Sequence, residues 1–200
     1  CRRKGPQAAP CRLPAHLLGQ AKLRYSLEKW DLIAAARIAL RCGNRRLEEL
    51  ADLPPDHAAL STPPVHRAAL EVRKGAPKTT ARGGSLRNAF ADERRGWKRS
   101  AELAHFERAF ERFVDEWVVP QFGCDCLVSP ATLRVVLPGG VRPSRPHCDA
   151  DYGYDASEVN FWVPLTRVAG ASSMWLESAP GRADFKPIDA LPGHACRFYG

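Results

Sequence analysis

The residues best suited to chemistry lie in Arg145-Pro146-His147-Cys148-Asp149-Ala150-Asp151-Tyr152-Gly153-Tyr154. In an extended chain, residues i and i+2 project to the same side. His147 and Asp149 can therefore turn toward one ion while Cys148 faces away. An imidazole and a carboxylate presented together are two thirds of the 2-His-1-carboxylate facial triad, which grips Fe(II) on one face and leaves three positions for co-substrate and oxygen. His147 and Asp149 are thus the expected metal ligands and catalytic pair. His-x-Asp alone is a common coincidence, and its setting narrows it. Arg134 sits thirteen residues upstream on a β-rich run, a Gly/Tyr-rich turn follows, and the next run carries Asn160 and Trp162.

Other candidates read two ways. Asp151 and Glu158 are either substrate-binding acids at a pocket rim or solvated surface charge; Tyr152 and Tyr154 either line a mouth or pack on a sheet. Glu177-Ser178, ahead of Ala179-Pro180-Gly181, reads as a turn stabiliser. Cys124-Asp125-Cys126 lacks the two-residue gap of a zinc knuckle and has no second pair at ribbon distance, so it reads as structural. The chain holds no phosphate-cradling glycine loop, no Gly-x-Ser-x-Gly elbow and no His-Glu-x-x-His helix.

The elements that must position these residues are uneven along the chain. Residues 1–14 read as a mobile basic leader and 15–95 as a helical, basic region with a linker; 96–200 read as a helix followed by a partial jelly roll. From Leu17 to Leu40 apolar residues crowd one side of a helix that stops at Cys42-Gly43-Asn44, and Arg45 to Leu53 reads as a second, short helix. Asp56 to Ser85, with its Pro and Gly pairs, reads as linker with a helical turn at His66 to Arg73. A clearer amphipathic helix carries Trp97, Ala101, Leu103, Ala104, Phe106, Phe110, Phe113, Val114, Trp117 and Val118 up to Pro120. Its aromatic stripe is expected to be core. Short β-rich runs follow at Thr132–Leu137, Val159–Leu165, Ser173–Leu176 and Ala195–Tyr199, broken by turn residues, which is the texture of an antiparallel sandwich or barrel.

Composition sets the frame. The 200 residues are 44% hydrophobic and 26% charged, as in a globular protein, and no run approaches the ~18 apolar residues of a membrane span. Seven scattered cysteines read as reduced thiols of an intracellular, cytoplasmic protein. Residues 1–100 hold 21 Lys/Arg against 9 Asp/Glu, and residues 101–200 hold 9 against 13. The basic half is interleaved with Pro, Gly and Ala rather than with stacking aromatics, so nucleic acid is not the expected partner.

His147-Cys148-Asp149-Ala150-Asp151-Tyr152-Gly153, Glu158 to Thr166, Ser173 to Ser178, Asp184-Phe185, Gly193 and Arg197 to Gly200 together resemble the StrG-type proteins of streptomycin biosynthesis, relatives of the phytanoyl-CoA hydroxylase-like superfamily. The resemblance covers residues 115–200. It implies an α+β fold with N-terminal helices packed on an incomplete double-stranded β-helix (jelly-roll) barrel. It further implies a non-haem iron dioxygenase that uses Fe(II), O2 and 2-oxoglutarate to hydroxylate or otherwise oxidise a small polar metabolite of sugar or aminocyclitol type. By position, His147 and Asp149 match the proximal ligands and Trp162 the tryptophan beside 2-oxoglutarate. Arg134 stands where a basic residue reaches co-substrate or substrate, and Asn160 shares the face of Trp162 and is expected to donate to the same ligand. The family's second histidine and an oxoglutarate-pairing arginine are expected beyond Gly200, as in a fragment, while His194 reads either as an exposed turn residue or as the third ligand. The alternative is a catalytically inactive jelly-roll binding module lacking the third metal ligand.

Overall fold

Leu32–Ala39 forms helix α1, an alanine-rich run that follows a side chain able to cap it. The computed structural model describes residues 19–53, 100–122, 126, 128, 133–137, 147–149, 158–179 and 181–199. Asp31 Oδ1 accepts the Ala34 N–H at 2.9 Å, satisfying one of the donors that a helix start leaves open. Beyond the helix, Arg41 (φ 56°) and Gly43 (φ 60°) both enter the left-handed region. That turn carries the chain to a 3-10 helix at Leu47–Asp52, matching the short second helix expected there.

Helix α2, Ala101–Phe113, is capped by Ser100 Oγ, which accepts from Leu103 N at 3.1 Å. It continues as a π-helical turn, Val114–Val118, and a 3-10 turn, Val119–Gln121, that takes in Pro120. The small side chains of Ala35, Ala36 and Ala39 let α2 approach α1, and with Leu103, Phe106 and the buried leucines of the 3-10 helix they form one apolar cluster. A second cluster is built on Phe113, which is fully buried. Phe113 stacks on Trp117 at 5.1 Å between centroids and meets Tyr25 edge-on at 4.9 Å. From Phe106 to Trp117 the aromatic stripe is therefore core.

The strands are β1 (Ala21–Arg24), β2 (Val159–Trp162), β3 (Trp175–Leu176), β4 (Lys186–Pro187) and β5 (His194–Tyr199). One sheet has the order β1-β5-β2 and the other pairs β3 with β4; every pairing is antiparallel. Gly193, at φ +86°, turns the chain into β5, and Tyr25 N donates to its carbonyl at 2.9 Å. The fold is thus mixed helix and antiparallel sheet, and no barrel closes among the described residues. No described helix is long and apolar enough to cross a membrane.

Several expectations need correction. The helix expected from Leu17 to Leu40 is a strand, a turn and then a helix. Ala21 and Leu23 are half-buried while Lys22 and Arg24 are exposed, a period of two that pairing with β5 turns into a strand. Residues 133–137 hold a single bridge residue, Val135, rather than a strand. The run expected to Leu165 ends at Trp162, shortly before Pro164, which has no N–H to give a ladder. Ser173–Leu176 shortens to two residues, and the last strand begins one residue early, at His194. The leader, the linker, and Asp151, Tyr152, Tyr154 and Cys124 lie outside the described residues.

Candidate functional site

Strand β2 divides its side chains between two faces, and this division builds the site. Val159 and Phe161 pack against the Phe113 cluster under the sheet. Asn160 and Trp162, one step out of phase, project to the opposite face, where both are half-buried. The ladder sets their neighbours: Asn160 stands opposite Phe198 and Trp162 opposite Cys196, with Lys22 of β1 beyond Cys196. Cys196 is 2% exposed, and burial pushes its thiol up, against the smaller opposite effect of the Lys22 charge.

His147 and Asp149 come to this face from a segment that is not a strand. The strand assumed for them is therefore absent, yet the pair is together: His147 Nε2 lies 3.9 Å from Asp149 Oδ1, and the side chains are 30% and 31% exposed. The other carboxylate oxygen, Asp149 Oδ2, accepts the Asn160 amide at 2.6 Å. Asn160 is thus directed at Asp149, a contact the sequence reading did not anticipate. Its signal was present in the sequence as one amide inside the apolar run Val159 to Val163.

Arg134 is exposed, while Leu133, Val135 and Leu137 on either side turn into the helix cluster. His194 opens β5 opposite Arg24, and its Nδ1 lies 3.0 Å from the Leu191 carbonyl. Glu177 and Ser178 tie the connection between β3 and β4. Glu177 accepts from Gly181 N (3.0 Å) and Ala183 N (2.8 Å), and Ser178 Oγ donates to Asp184 at 2.7 Å. That bond is the largest of the causes holding the Asp184 carboxyl below the usual range.

The donor set fits a divalent metal in part. Bonds of about 2.1 Å let one ion touch two atoms up to ~4.2 Å apart, and the 3.9 Å between His147 Nε2 and Asp149 Oδ1 falls within that reach. A small rotation would bring the two donors to neighbouring coordination positions. Among the described residues no group of three or more His, Cys, Asp or Glu side chains is assembled.

No family model and no solved structure matches the chain. Over 62 residues it is 40% identical to the streptomycin biosynthesis protein StrG of Streptomyces griseus, a stretch that makes up 31% of each protein. The match thus spans about a third of the length of that relative. This chain is a partial homologue of a streptomycin biosynthesis protein.

Proposed function

We propose that the chain carries part of the site of an Fe(II)/2-oxoglutarate oxygenase on a double-stranded β-helix, acting on a hydroxyl-rich polar metabolite in a biosynthetic pathway. The observation that carries this reading is the clasp of His147, Asp149 and Asn160: an imidazole and a carboxylate within one ion's reach, the carboxylate held from behind by an amide. The partial likeness to a streptomycin biosynthesis protein supports the sugar or aminocyclitol class of substrate.

In this reading His147 Nε2 and Asp149 Oδ1 would hold the iron. Bound iron with 2-oxoglutarate and O2 would supply oxidising power coupled to loss of carbon dioxide from the oxoglutarate. The chain supplies placement. Trp162, half-buried beside Asn160 on the same face, covers the co-substrate and limits water. Arg134, whose charge is exposed, offers a partner for an anionic group of co-substrate or substrate.

The test is anaerobic titration with Fe(II), with and without 2-oxoglutarate, following the weak visible charge-transfer band of an oxoglutarate chelate. The expected outcome is a band in the wild type that His147→Ala and Asp149→Ala each abolish. A band that survives both substitutions would sink the assignment. No band either in the wild type or in a chain extended past Gly200 would favour a jelly-roll binding module instead.

A further inference from the structure

We infer that Asn160 is the positioning residue of this metal site: its amide engages one oxygen of Asp149 so that the other is the one offered to the ion. The inference rests on the reading that His147 and Asp149 hold a metal. A carboxylate can bind a cation through either oxygen or through both. Here the two oxygens are already distinguished, since Oδ2 takes the Asn160 Nδ2–H at 2.6 Å while Oδ1 faces His147 Nε2 at 3.9 Å. A donor on a charged acceptor makes a short, strong bond. Carboxylate ligands of metals are held by such outer contacts.

The mechanical argument comes from the elements. Residues 147–149 belong to no strand. Asn160 is the opposite case. It lies within β2, paired with Phe198 on the central strand, and its neighbours Val159 and Phe161 are packed against the buried aromatic cluster. The hydrogen bond therefore transmits the rigidity of the sheet to a ligand carried on an irregular segment. An amide suits this role. Aspartate at 160 would set two carboxylates against each other, and an apolar residue would leave Asp149 free to rotate.

Co(II) is the probe, because its visible d–d spectrum reports coordination number without turnover. The 200-residue chain and its Asn160→Ala, Asn160→Asp and Asn160→Ser variants are titrated, with Asp149→Ala as the control for loss of the site. The role predicts Co(II) affinity lowered roughly 10- to 100-fold in Ala, an altered d–d envelope in Ala and Asp as Asp149 loses its donor, and partial recovery in Ser, which keeps a donor. Asn160→Asp preserves the side-chain shape and carries the test if Ala perturbs the sheet. If the wild type binds Co(II), Asp149→Ala does not, and the Asn160 variants match the wild type in affinity and spectrum, the positioning role is wrong while the metal site stands. Failure of the wild type to bind Co(II), or equal binding by Asp149→Ala, overturns the metal site itself and this role with it.

Discussion

Cys148 lies between the two expected ligands and is exposed, whereas Cys42 and Cys196 are 3% and 2% exposed. Burial pushes both buried thiols up, which lowers the thiolate fraction that reacts. Alkylation of the folded protein followed by peptide mapping is therefore expected to modify Cys148 well before Cys42 and Cys196, with the difference vanishing in urea. At this scale the sequence was informative about residue type and poor about contact. His147, Asp149 and Asn160 could be picked out as two candidate ligands and a candidate donor from their residue types and spacing. That the donor goes to Asp149 was not legible, because the two lie eleven residues apart on different segments and no local periodicity encodes the approach.

Helix α2 is the element on which most else rests. Phe113 is fully buried between Tyr25, Trp30 and Trp117, so Phe113→Ala removes a ring from both the helix packing and the underside of the sheet. The expected loss is about 3–5 kcal/mol, measured by urea denaturation. The π-helical turn that follows places Glu116 beside the first helix, where it accepts from Lys29 Nζ at 3.2 Å and from Trp30 Nε1 at 3.1 Å. The Lys29 bond, with help from Trp30, holds the Glu116 carboxyl below its usual range. A depressed carboxyl stabilises the fold above its unfolded pKa, about 4.3, and that contribution fades as pH falls through the folded value. Wild type should therefore exceed Glu116→Gln in stability near neutrality, and the gap should close in denaturation curves taken progressively below about pH 4. The stripe of α2 was legible because three- and four-residue steps persist over many turns. β1 was not, since four residues of alternating pattern join an apolar run on their C-terminal side and only the distant β5 decides between strand and helix.

Across the whole molecule, charge is divided: 21 Lys/Arg against 9 Asp/Glu in residues 1–100, and 9 against 13 in residues 101–200. Basic charge without stacking aromatics gives attraction that salt removes. In a mobility-shift assay, association with DNA is expected only at low ionic strength and should be gone by about 0.2 M salt; binding that persists would give the basic half a nucleic-acid role. The mixture of helix and antiparallel strands was legible from the change of periodicity after Pro120, whereas closure into a barrel is a long-range property that no window of sequence carries. The strand order β1-β5-β2 has a consequence for how the chain is made. A ribosome delivers β1 first and β5 last of the three, and synthesis proceeds at roughly 5–20 residues per second. Neither β1 nor β2 has its partner until residues 194–199 emerge, while α1 and α2 are complete once Phe113 is out. A nascent chain halted before His194 would hold a helical platform with two strands waiting on it, and the face bearing Asn160 would be assembled only once residues 194–199 emerge.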